Sequence, residues 1–159
     1  MIAIECVRAR GHPLVRATHR STLEITCDPW LTKRGDCIIA IDADKGAMHL
    51  SPSFKRLAAN DATRIIIVLV CEGLVEVIRA WGHSCLTFES PNSLVVRRSS
   101  FIDGRTVAVK SDKAAIHLDR RMIALLQRSA ELEAYLFALS KDEDAIESKI
   151  LELFKSAHA

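Results

Sequence analysis

The sequence predicts a fold that is mostly β with α (α+β): internally duplicated β-β-β-α units forming a pseudo-two-fold β-barrel, with a C-terminal helical extension. Three observations carry that expectation. Short alternating, β-branched runs separated by Gly, Pro, Asn and Asp turn residues mark strands through the first two thirds of the chain. The phrase DADKGAMHL at 42–50 returns as SDKAAIHL at 111–118. Apolar residues at helical spacing then follow to the C-terminus.

The elements follow in order. Residues 2–10 (IAIECVRAR) and 20–26 (RSTLEIT) read as strands, joined by a loop that holds Gly11 and Pro13. After the turn-rich CDPWLTKRGD comes a third strand, CIIAID at 37–42. Ser51 before Pro52 predicts a helix from Pro52 to about Ala59, because the hydroxyl caps free N–H groups and proline tolerates the first helical position. RIIIVLVC at 64–71 is apolar on both faces and is expected to be a central strand, added to the repeat. Glu72-Gly73 reads as a hairpin turn into LVEVIRAW at 74–81. Two short strands on either side of Pro91-Asn92 and a strand RTVAVK at 105–110 complete the β portion. Met122, Leu125, Leu126, Leu132, Leu136 and Leu139 recur at helical spacing behind an Asp119 cap, so this whole stretch is expected to be helical. A last helix over about 142–156 is expected to bury Ile146, Ile150, Leu153 and Phe154.

The repeat is longer than its most visible phrase. Arg8-Ala9-Arg10-Gly11-His12 aligns with Arg79-Ala80-Trp81-Gly82-His83, 71 positions later, and Thr22–Ile25 aligns with Ser93–Val96 at the same offset. A three-residue deletion then brings the offset to 68, where Ile39-Ala40-Ile41 faces Val107-Ala108-Val109 and Asp44-Lys45 faces Asp112-Lys113. Ser51 faces Asp119, each opening a helix. Two such units cannot each bury a sheet face alone, so they are expected to pack about a pseudo-two-fold axis. Residues 1–126 are thus expected to be a single domain of two intertwined repeats, about 7–57 and 78–125, with 127–159 as a helical extension packed on it. The Gly-Asp turn of LTKRGDCIIAI is similar to the one in duplicated cradle-loop barrels, although the second copy, Ile102–Thr106, keeps half of it. An open α+β sandwich with helices on one face is the alternative.

Bulk properties exclude several classes. At 159 residues, 49% apolar and 26% charged, the chain suits one globular domain. No apolar run spans a bilayer, and the N-terminus lacks a signal-peptide profile, so the expected location is cytoplasmic, with no membrane partner. Five cysteines without a C-x-x-C pair argue against a zinc ribbon or redox motif. A net charge of +2 and 5% aromatics do not fit single-stranded nucleic acid, which favours aromatic platforms in a basic groove.

The segments RGHPLVRATHRSTLEIT, RGDCIIAIDADK and SDKAAIHL resemble an archaeal family of uncharacterised proteins, domain of unknown function 371. The resemblance covers roughly residues 4–125, with the chain beyond about 127 outside it. It implies an archaeal, intracellular protein, and it carries over no catalytic residue and no cofactor.

Candidate chemistry is therefore read from the residues. RARGHPLVRATHR places Arg8, Arg10, Arg16, Arg20, His12 and His19 in thirteen positions without a lysine. Arginine forks grip phosphate or carboxylate bidentately, which makes this loop an anion site unless its arginines only cover a solvated face. His12 and His83 stand in equivalent loops and would bind a transition metal if they met, but no H-x-x-H spacing supports one and none is assigned. The Asp44-Lys45 and Asp112-Lys113 pairs either cap the turns beside them or meet in a proton-transfer site. His49 and His117 are expected to be packing residues, and Glu24, which faces Val95 in the second copy, is a candidate for an asymmetric site. Three functions compete: a module binding a small phosphate-bearing anion through the Arg/His loop, an acid–base enzyme near the pseudo-axis using Asp/Lys or Glu/His, and a structural or oligomerisation protein using its C-terminal helices. A small anion is preferred as ligand over nucleic acid, the cofactor is unassigned, and a homo-oligomer is left open.

Overall fold

The computed structural model describes residues 1–143 and 145–158, with side chains to 156. The chain order is β1 (Ile2–Arg10), β2 (Thr22–Thr26), β3 (Ile38–Ala40), α1 (Pro52–Ala58), β4 (Arg64–Cys71), β5 (Leu74–Trp81), β6 (Ser93–Arg97), β7 (Thr106–Ala108), α2 (Arg120–Leu126), β8 (Glu131–Leu139) and α3 (Ile146–His158). The fold is α+β and mostly strand. One antiparallel sheet has the order β1-β8-β4-β5, and the other has the order β3-β2-β6-β7. In the second sheet β2 and β6 are antiparallel, while β3 and β7 flank them in parallel.

Each element has a local cause. β1 alternates exposed Ile2, Ile4 and Arg8 with buried Ala3, Glu5, Val7 and Ala9, so one face enters the core. β4 is buried along nearly its whole length because β8 and β5 flank it and both its faces are covered. The two early helices start where the caps predict: the Ser51 hydroxyl accepts the Phe54 N–H at 3.2 Å, and the Asp119 carboxylate accepts the Arg121 N–H at 2.8 Å. The main core joins the inner faces of both sheets through residues such as Val7, Leu23, Ile67, Val96 and Leu136. A second apolar cluster on the outer face of the first sheet, including Ile66, Val68 and Phe137, is covered by Ile146, Ile150 and Phe154 of α3. No helix among the described residues is long and apolar enough to cross a membrane.

Several expectations change. The strands form two sheets and not one closed barrel; single bridges at Arg10–Ile41 and Trp81–Val109 touch the sheet edges together. The stretch expected to be one helical run breaks after Leu126, and Glu131–Leu139 is a central strand paired on both sides, so the part beyond 127 is not a helical extension throughout. Of the two strands expected around Pro91-Asn92, only β6 forms; Ser84–Ser90 is a loop that drops Leu86 and Phe88 into the core. Leu153 stays 67% exposed while its neighbours in α3 pack down.

The halves repeat their backbone contacts. Asp44 accepts the Arg8 N–H at 3.0 Å, and Asp112 accepts the Arg79 N–H at 2.9 Å. Left-handed φ angles occur at Ala17 (50°) and Phe88 (51°), and again at Asp42 (55°) and Lys110 (52°). Glu24 faces Val95 directly in the β2–β6 ladder, so two aligned residues pair with each other. The Gly11 N–H reaches Ala130 O at 2.8 Å just before β8, and the Gly82 N–H reaches Thr63 O at 2.9 Å just before β4. β8 therefore stands where β4 stands in the other half.

Candidate functional site

The Arg/His segment does not converge. Arg8 is exposed on β1, Arg10 Nε binds Asp42 Oδ2 at 2.6 Å, Arg16 Nη1 donates to Lys33 O at 3.1 Å, and Arg20 points into solvent. The histidines serve backbone. Nδ1 of His12 accepts the Leu14 N–H at 3.0 Å, and Nδ1 of His19 accepts from Ser21 and Thr22. His49 and His117 are exposed caps and not packing residues, their Nδ1 atoms accepting the N–H of Gly46 and Ala114.

The two Asp-Lys pairs do not meet. Asp44 anchors to β1 and Asp112 to β5, the two outer strands of one four-stranded sheet, at levels four residues apart along β8, which places them roughly 20 Å apart at ordinary strand dimensions. Each lysine instead turns to a glutamate of its own half: Lys45 Nζ to Glu5 at 2.9 Å, and Lys113 Nζ to Glu76 at 3.6 Å. Burial alone would raise the Glu5 carboxyl, but Lys45 and the Ser51 N–H outweigh it and hold it below its ordinary range.

Glu24 is buried at the β2–β6 pairing, where the Cys37 thiol approaches its Oε1 at 3.6 Å and Arg105 Nη1 lies 3.7 Å away. Burial, followed by the charge of Glu24, pushes the Cys37 thiol up to about 12, so it is no nucleophile at neutral pH. Among the described residues no group of three or more His, Cys, Asp or Glu side chains is arranged to hold a metal.

The chemically open place is the second Gly-His loop. A hollow of about 300 Å³ is lined by Asp61, Trp81, Gly82, His83 and Lys110. It sits where β5 ends, beside the single bridge from Trp81 to Val109. Gly82 is required by packing: a Cβ there would lie 2.2 Å from Ala58 O. His83 Nδ1 accepts the Cys85 N–H at 3.0 Å, so a neutral ring carries its proton on Nε2. Asp61 Oδ1 accepts the Ser84 N–H at 2.8 Å and lies 3.8 Å from His83 Nδ1. That N–H above all, with Lys110 nearby adding to it, holds the Asp61 carboxyl below its ordinary range. The side chain of Lys110 has neither ion pair nor hydrogen bond among the described residues.

The same place in the first half holds an ion pair. Arg10 aligns with Trp81 and Asp42 with Lys110, and Arg10 and Asp42 form an ion pair at 2.6 Å. Of the residues lining the hollow, sequence reasoning found only His83. Trp81, Lys110 and Asp61 were missed, although the signal for the first two was present as mismatches between otherwise similar halves.

A family model described as Domain of unknown function (DUF371) matches residues 7–139. The chain belongs to this family. An uncharacterized protein of the archaeon Methanocaldococcus jannaschii is 39% identical over 126 residues, which are 79% of this chain and 93% of that relative. The family's span runs past 125, the limit set by the resemblance, and takes in β8. Asp61, Trp81, His83 and Lys110 all lie within the family's span, and α3 lies beyond it.

Proposed function

We propose that this protein binds a small anionic, phosphate-bearing ligand in the hollow under the Gly82–His83 loop. One observation carries the reading: Lys110 lines an open hollow without a counter-charge at bonding distance, whereas the aligned positions of the other half hold the Arg10–Asp42 ion pair. An unpaired ammonium beside an imidazole attracts an anion, and the exposed Asp61 leaves room for protonated or hydroxylated ligands. We read the two halves as copies of one unit related by a pseudo-two-fold axis through the Glu24–Val95 pair, with the second copy holding the open site. A cytoplasmic location goes with this reading.

Binding of inorganic phosphate and pyrophosphate, followed by calorimetry and thermal shift, tests it. Both anions are expected to raise the melting temperature of the intact protein, and Lys110→Ala to abolish the rise. Arg16→Ala and Arg20→Ala are expected to leave it unchanged; loss of binding in those variants would return the site to the Arg/His loop. No stabilisation by either anion sinks the proposal. An acid–base enzyme is the second reading, favoured by His83 and Asp61 lining one hollow with Nδ1 and Oδ1 tied to backbone, which leaves Nε2 and Oδ2 as the groups to exchange protons.

A further inference from the structure

The hollow has a neighbour. A second one of about 330 Å³ shares Trp81 and Lys110 as lining and adds Arg64, Arg79, Asp112 and Glu147. Either volume lies at the lower end of small-ligand sites, roughly 300–1,000 Å³, so a ligand larger than a bare anion has room across the shared wall.

Resting on the anion-binding reading above, we propose that the paired hollows take a mononucleotide-like ligand. Its planar heterocycle stacks on Trp81, and its phosphate lies between Lys110 and Arg79. Trp81 is 40% exposed and lines both hollows, beside Asp61, His83 and Lys110 in the first and Ile66 and Ala80 in the second, which is where an aromatic ring offers a face to another ring. Arg79 uses Nε on Glu147 at 2.6 Å, and its two outer nitrogens have no partner among the described residues. Half of its donor fork is therefore available to a phosphate on the side that Lys110 also lines. Asp61 spends Oδ1 on the Ser84 N–H, which leaves Oδ2 to accept from an exocyclic amine or a ribose hydroxyl. Each polar feature of a nucleotide thus has one complementary group, and the ring has one platform. A nucleic-acid chain asks for more: successive stacking platforms along a basic groove. Here a single tryptophan stands between acidic groups, Asp61 on one side and Asp112 with Glu147 on the other.

The experiment compares AMP, ribose 5-phosphate, inorganic phosphate and a short single-stranded RNA by calorimetry. Fluorescence is read in a Trp30→Phe background that leaves Trp81 as the sole tryptophan. AMP is expected to quench Trp81 and to bind about tenfold more tightly than ribose 5-phosphate, the lower end of what one base–aromatic stack contributes. Trp81→Ala should erase that tenfold preference, and Lys110→Ala should weaken all phosphates together. Should Trp81→Ala fail to fold, Trp81→Phe serves: it keeps a stacking ring, so a reduced preference for AMP must survive. Equal binding of AMP and ribose 5-phosphate would overturn the ring site while leaving the anion site standing. No binding of any phosphate overturns both readings, and RNA binding more tightly than AMP overturns the mononucleotide class.

Discussion

At the scale of single residues, side chains that look chemical are mostly occupied in holding backbone. Five histidines spend Nδ1 on an N–H two or three residues away, which is why His12, His19, His49, His83 and His117 recur beside turns. Glycines show the same logic. Gly82→Ala would set a Cβ 2.2 Å from Ala58 O and 2.8 Å from Asn60 O, both backbone atoms that cannot swing away. It is expected to cost about 2–3 kcal/mol, as overpacking does, in urea unfolding. Gly73→Ala meets open space and faces only its left-handed φ of +85°, so roughly 1 kcal/mol is expected from the same measurement. Asp103 gives a pH prediction. Burial would raise its carboxyl, but Arg105 hydrogen bonds and the charge of Arg97 hold it at about 2, against 3.8 for a free side chain. A depressed folded pKa means that the ionised form supports the fold. The contribution is present above about pH 4 and is lost as pH falls through 3.8 towards 2. Asp103→Asn should therefore flatten the fall in stability over that window; an unchanged slope would show that other carboxylates govern it. These roles were not legible in the sequence, because a histidine that caps and one that catalyses are spelled alike. Trp81 and Lys110 were hidden for a different reason: they differ from their counterparts Arg10 and Asp42, and a search for similarity passes over differences.

At the scale of elements, the sequence was a good guide wherever local signals agreed and failed where tertiary pairing decided. Ser51-Pro52 and Asp119 start helices as read, and Glu72-Gly73 turns β4 into β5. ELEAYLFAL at 131–139 misled because Leu132, Leu136 and Leu139 fit helical spacing and its Leu, Ala and Glu favour helix. The same residues also alternate: Leu132, Ala134, Leu136 and Ala138 all face the main core. Backbone partners on both sides, β1 and β4, settle the ambiguity in favour of strand. The outer face of that strand explains α3. Phe154 packs at 5.0 Å from the Tyr135 ring and 6.0 Å from Phe137, so the helix is held by its own sheet. Glu147 adds ionic ties to Arg64 at 2.5 Å and to Arg79 at 2.6 Å. Phe154→Ala is expected to cost roughly 2 kcal/mol, less than a fully buried phenylalanine because α3 lies on the surface. It should open α3 without melting the sheets. Trypsin would then cut first after Lys149 and Lys155; unchanged cleavage there would mean that the ring contacts do not hold the helix.

At the scale of the whole molecule, the division into halves makes a prediction that no single contact makes. Cut between Glu72 and Gly73, the first piece holds β1 to β4 and the second β5 to β8. Of the strand ladders, only β2–β3 and β6–β7 lie within one piece. The ladders β1–β8, β4–β8, β4–β5 and β2–β6 all join one piece to the other, and the main core draws on both. Neither piece can complete a sheet or cover the apolar face it presents, so each alone is expected to be unfolded, as a half-core normally is. Their union recovers every ladder except the connection through an exposed turn, where Glu72 and Gly73 make no side-chain contact that the fold depends on. Residues 1–72 and 73–159, refolded together from denaturant, should therefore assemble into a one-to-one complex with the circular dichroism of the intact chain. The complex should also carry phosphate binding, because Asp61 comes from one piece and Trp81, His83 and Lys110 from the other. If either piece folds by itself with native-like strand content, the halves are independent domains and the intertwined architecture is wrong. If the complex forms but phosphate binding is lost while Lys110 is intact, the site depends on the covalent turn, and the hollow is shaped by the chain connection and not by the packing of the two halves.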